Sequence, residues 1–112
     1  MIVQALQVVG CILTVAVGAL SLFAPEKTVG FTGLAPQGGR GITEIRSVLG
    51  GLFIALGVAP FFLGDVAYMV LGISYLAIGV VRLPSIFIDK SSMQSNWFSL
   101  AFEIVFGVIL VL

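Results

Sequence analysis

Four long apolar runs dictate what this chain can fold into. They cover residues 3–23, 42–63, 66–88 and 97–112, and none carries more than two charged residues. A helix needs about 20 mainly apolar residues to cross roughly 30 Å of hydrocarbon. The first three runs meet that length. The fourth has 16 residues, so its helix must begin earlier, around residues 92–95, or the bilayer must thin around it. With 60% of its residues apolar and 9% charged, against about a quarter charged in soluble domains, the chain is poorly suited to water. The expected fold class is all-α, an integral membrane four-helix bundle. It forms a single transmembrane domain over residues 1–112, with helices at about 3–23, 42–63, 66–88 and 95–112.

The same composition excludes several functions. Net charge is zero and no stretch clusters Lys or Arg, so nucleic acid is not an expected partner. Histidine is absent, which removes the usual proton shuttle, the commonest metal ligand and the axial ligands of a b-type haem. Cys11 is the sole cysteine, so neither an internal disulfide nor a thiolate zinc site can form, and it reads as a small buried apolar residue. No cofactor or metal site is expected. The first run lacks the basic start of a signal peptide, having Gln4 and Gln7 in that place, and reads as a retained helix.

Between the first two runs, residues 24–41 contain Pro25, Pro36 and the sequence Gly38-Gly39-Arg40-Gly41, which is expected to break regular structure. Pro25-Glu26-Lys27-Thr28-Val29 has Pro and an acid where a short helix would begin, and Phe31 and Leu34 are placed to dip into a membrane interface. Gly64-Asp65 leaves room only for a tight turn, making runs two and three antiparallel neighbours. Residues 89–96 form a polar turn. Lys27, Arg40 and Lys90 lie in the two connections on one side, with Arg46 and Arg82 nearest that side. By the bias of basic residues toward the cytoplasm, both termini are expected to be non-cytoplasmic.

Helices in lipid associate through small residues and polar contacts, because hiding apolar surface gains them nothing there. Such residues recur at helical spacing in every run: Gln4, Gln7, Cys11, Thr14, Gly18 and Ser21 in the first; Thr43, Arg46, Gly50 and Gly57 in the second; Gly72, Tyr75, Gly79, Arg82 and Asp89 in the third; Asn96, Ser99, Glu103 and Gly107 in the fourth. Each helix thus has one inward stripe and an outer surface of Val, Leu, Ile and Phe for the lipid bilayer.

Depth brings the charges together. Glu103 lies seven residues past Asn96 and Arg82 seven before Asp89, so each sits roughly 10 Å inside the same interface. An unpaired charge near mid-membrane costs about 2.5–3.5 kcal/mol on insertion scales, and so Arg82 is expected to pair with Glu103. Glu44 and Arg46 are expected in the first turn of the second helix, with Thr43 as its N-cap, and to complete the network with Asp89 and Asn96. Pro84 removes a donor to the carbonyl of Val80 and is expected to kink the third helix at Arg82, freeing an acceptor inside the bundle. Pro60 reads as a helix-terminating residue, and Trp97 and Tyr68 as interfacial anchors.

The order of these elements resembles a family of small bacterial membrane proteins, domain of unknown function 4345. The matching elements are Phe31-Thr32-Gly33-Leu34-Ala35-Pro36, Glu44-Ile45-Arg46 followed by Gly50-Gly51-Leu52, Gly79 with Arg82 and Asp89, and Glu103. The resemblance implies a four-helix integral membrane protein, hence one of the bacterial inner membrane, and carries no mechanism with it. Small multidrug-resistance transporters have a similar size, but their essential carboxylate lies in the first helix, which here has no charge.

Three functional readings follow. The first is a non-enzymatic accessory or interaction subunit, partnered by another membrane protein or by its own copies, whose cluster of Glu44, Arg46, Arg82, Asp89, Asn96 and Glu103 is structural. The second is a small proton-linked transporter or ligand-binding bundle in which Glu103 or Glu44 changes protonation beside Arg82. The third is an enzyme acting on a lipid or quinone with one of those carboxylates as acid or base. Tight pairing to Arg opposes this third reading, because it favours the charged carboxylate and so weakens it as a base near neutrality. A cavity at the Arg82 cluster separates the second reading from the first.

Overall fold

A computed structural model describes the backbone of residues 1–112 and every side chain except that of Phe31, so the expectation for Phe31 lies outside the described residues. The elements in chain order are α1 (Ile2–Phe23), a 3₁₀ turn (Pro25–Thr28), α2 (Val29–Thr32), α3 (Gly38–Glu44), a π-helical segment (Ile45–Leu52), α4 (Phe53–Leu63), α5 (Asp65–Ile88) and α6 (Gln94–Val111). The described residues contain no strand. Because α3, the π segment and α4 run on without a break, there are four long helices, Ile2–Phe23, Gly38–Leu63, Asp65–Ile88 and Gln94–Val111, each long and apolar enough to cross a membrane.

The second long helix departs from expectation. It begins at Gly38, not near residue 42, so the glycine run Gly38-Gly39-Arg40-Gly41 is helical. Each Gly costs about 1 kcal/mol relative to Ala in a helix, but extending a formed helix adds a backbone bond per residue without a new nucleation step. An Arg40–Glu44 pair at 2.9 Å and a bond from the Thr43 hydroxyl to the Gly39 carbonyl tie the added turn together. Thr43 therefore lies inside the helix and does not cap it. A second departure is the π segment. Its i→i+5 hydrogen bonding widens the turn; within it Ile45 and Gly50 are buried, while Arg46 is left exposed.

The four helices associate as two close pairs, α1 with the second long helix and α5 with α6, joined through α4 with α5 and α1 with α6. Glycines set the close approaches. A Cβ on Gly57 would stand 2.9 Å from the Cys11 carbonyl of α1, and one on Gly72 would stand 2.8 Å from the Gly107 carbonyl of α6. Cys11, Leu71, Tyr75 and Leu110 form the buried core, with Phe102 and Phe106 packed on it. Gly64, at φ 77°, makes the turn between α4 and α5, a backbone region natural to glycine. Pro60 sits in the last turns of α4, and its carbonyl accepts the Gly64 amide that closes the helix.

Residues 24–37 and 89–93 lie at one end of the molecule, here the loop end. There the 3₁₀ turn buries Pro25 and Thr28 against α1, and α2 rests on α6. On the other flank the π segment packs on α1, with α3 continuing from it, and of the second long helix only α4 makes close contact with α5. The second long helix thus leaves α5 as it approaches the loop end.

Candidate functional site

Arg82 projects from α5 toward α6. Its Nε donates to Glu103 Oε1 and its Nη2 to Glu103 Oε2, each at 2.7 Å. Its Nη1 donates to Asn96 Oδ1, also at 2.7 Å. The amide nitrogen of Asn96 donates in turn to the carbonyl and hydroxyl of Ser91. Three residues singled out in sequence, Arg82, Asn96 and Glu103, therefore meet in one hydrogen-bonded unit. The side chain of Glu103 is only 8% exposed and that of Arg82 29%, so the carboxylate is enclosed and the guanidinium reaches the edge. Two parallel charge-assisted bonds are the strongest form such a pair takes, and they fix the helices in orientation as well as in register.

The other three candidates stand outside this hydrogen-bonded unit. Glu44 does not join the cluster; it is exposed and engages Arg40 one turn earlier in its own helix. Arg46 is also exposed, whereas its neighbour Ile45 in the π segment is buried. Both expectations assumed that the second long helix continues α-helically beside α5, whereas it diverges. Asp89 is exposed at the end of α5 and bonds to neither Arg82 nor Asn96. Helix α5 runs unbroken through Pro84, and Val80 lies on its outer face, 68% exposed. The carbonyl freed by Pro84 is therefore no acceptor for Arg82, whose acceptors are Glu103 and Asn96.

A cavity of about 580 Å³, open to the surface of the bundle along much of its length, lies beside this unit, lined by Ala77, Ile78, Val81, Arg82, Ser85, Asp89, Ser91 and Asn96; Ala77, Val81 and Asp89 are exposed. Ile78 also borders a small void against Phe53 and Leu56 of α4, so the cavity begins where α4 parts from α5. A guanidinium carries five N–H donors. Three are occupied by Glu103 and Asn96, which leaves Arg82 two donors at the cavity wall. Glu103 does not line it.

A polar contact deeper in the molecule escaped the sequence reading. The Thr14 hydroxyl donates its one proton to the Gly10 carbonyl and also meets the Tyr75 hydroxyl. Tyr75 must therefore be the donor to Thr14, and this bond links the two helix pairs. Both residues lay on predicted inward stripes, but stripes do not say which residues of different helices stand at one depth. Gln7, which donates to the Ile109 carbonyl at 2.9 Å, ties α1 to α6 near the termini.

Comparison with known proteins adds one decisive match. The family model described as "Domain of unknown function (DUF4345)" matches residues 2–112. The chain belongs to the DUF4345 family. No curated protein and no solved structure matches it. For this DUF4345 chain, what the site does must be argued from its geometry.

Proposed function

We propose that this chain is a multi-pass protein of the bacterial inner membrane, a four-helix bundle with both termini outside the cytoplasm. It acts without catalysis, by holding a ligand in the cavity beside Arg82. Four helices of sufficient length and apolarity support the membrane placement, as do outer faces rich in exposed Val, Ile and Phe. The basic residues near the loop end support the orientation.

The observation that carries the binding role is a cavity of about 580 Å³, open along one side, against a guanidinium with donors to spare. Proton-linked transport through Glu103 has less in its favour, since both oxygens of that carboxylate are held by Arg82 and neither faces the cavity. General acid or base work meets the same obstacle. The apolar outer surface also suits an accessory role beside another membrane protein, with the cavity as the feature such a partner would share.

Native mass spectrometry of the protein released from membranes in mild detergent tests this reading. The expected result is a bound species of discrete mass that is lost in Ser85→Trp, a substitution that fills the cavity from a half-buried position on α5. The variant should melt at the wild-type temperature. A bare wild-type protein, or an adduct retained equally by Ser85→Trp, would overturn the proposal.

A further inference from the structure

The lining of the cavity is ordered by polarity along α5. Ala77, Ile78 and Val81 line the end farther from the loops, Arg82 and Ser85 the middle, and Asp89 the end at the loops, joined there by Ser91 and Asn96; Ala77 and Val81 are exposed, so the apolar end opens onto the outer surface of α5. From Ala77 to Asp89 the helix rises roughly 18 Å. A ligand lying here meets an apolar surface of α5 at membrane depth and charge toward the loop end, the polarity of an amphiphile standing in a leaflet.

The two charges at the polar end have opposite sign and unequal commitments. Arg82 is neutralised by Glu103 yet keeps two N–H donors. Asp89 enters no ion pair among the described residues, and Lys90, its neighbour in sequence, is not part of the cavity wall. An anionic group finds donors at Arg82 and a like charge at Asp89, and a cationic group finds an acceptor at Asp89 and a like charge at Arg82. Like charges brought together in a partly desolvated site are strongly disfavoured. The site therefore suits a dipolar head with an anion inward and a cation outward. Ser85 and Ser91 supply further hydroxyls, and Asp89 can accept hydrogen bonds only from a cation that bears N–H groups.

We propose that the cavity holds the head of a zwitterionic phospholipid bearing a primary ammonium, a phosphoethanolamine lipid, with its phosphate on Arg82, its ammonium on Asp89 and its first acyl carbons along Val81, Ile78 and Ala77. This assignment rests on the cavity being a ligand site. The lipid is favoured over a free phosphoethanolamine because exposed Val81 and Ala77 offer an apolar wall along which acyl carbons, but not a soluble headgroup, would lie.

The test is a titration of delipidated protein, followed by native mass spectrometry. The probes are phosphatidylethanolamine, phosphatidylglycerol, phosphatidylcholine and soluble phosphoethanolamine. Phosphatidylethanolamine is expected to bind about tenfold more tightly than either other lipid, the size of one charge-assisted hydrogen bond. Asp89→Asn, an exposed position whose loss leaves the melting temperature unchanged, is expected to erase that preference and to raise the affinity for phosphatidylglycerol. Equal binding of all three lipids, or an Asp89→Asn variant with the wild-type ranking, would overturn the headgroup assignment while leaving the cavity a ligand site. Soluble phosphoethanolamine binding as tightly as the lipid would overturn the lipid as its source. No binding of any probe, together with a bare protein from native membranes, would remove the cavity reading as well.

Discussion

The two halves of α5 are built on opposite principles. Toward Gly64, Gly72 lets the Gly107 carbonyl of α6 approach, Tyr75 reaches across to Thr14 of α1, and the buried core gathers around them. Toward Asp89, the same helix presents Arg82, Ser85 and Asp89 to a cavity because the second long helix has moved away. The closed half owes its cohesion to backbone proximity and one hydroxyl bond. Its open counterpart is held to α6 by a bidentate ion pair, which needs no close backbone approach. Gly79 also meets Ile104 of α6 closely there and Ile86 is fully buried, so α5 stays joined to α6 while its other side is open.

Breaking the ion pair should show the largest effect. Glu103→Leu leaves Arg82 without its counter-charge, and unfolding in detergent is expected to register a loss of about 3–5 kcal/mol. The double variant Arg82→Met with Glu103→Leu should recover most of that loss, because no charge is then stranded. A single variant as stable as wild type would mean that the open half is not held by this pair.

The closed half can be strained directly. In Gly72→Ala the new Cβ would lie 2.8 Å from a backbone oxygen that cannot move without its helix, and a loss of about 1–3 kcal/mol is expected. Gly39→Ala is the control, since nothing lies within 4 Å of the added atom. There the better helix propensity of Ala should leave stability unchanged or raise it by up to about 1 kcal/mol. Equal effects at the two positions would erase the distinction drawn between packed and open glycines. The smallest change is expected in Tyr75→Phe. It removes one hydroxyl bond between helix pairs, for which about 0.6 kcal/mol is the average found in membrane bundles; a loss several times larger would give Tyr75 a role beyond this contact.

Apolar length and turn chemistry announced the helices in the sequence alone, since a run of about 20 apolar residues has few other folds open to it and Gly64-Asp65 permits only a tight reversal. The family resemblance was carried by the same elements in order, and the match over residues 2–112 establishes it. The pairing of Arg82 with Glu103 was legible because two charges at equal depth on adjacent helices must satisfy each other. What could not be read was the path of the second long helix. Its π segment meets α1 at Gly18 and Leu22, against which Ile54 and Gly50 pack, and such inter-helix contacts leave no periodic trace in one strand of sequence. That path decides that Glu44 and Arg46 stand apart from Arg82, and it opens the cavity. Local composition therefore fixed which segments are helices and which charges need partners, whereas the space between helices was decided only by how their surfaces meet.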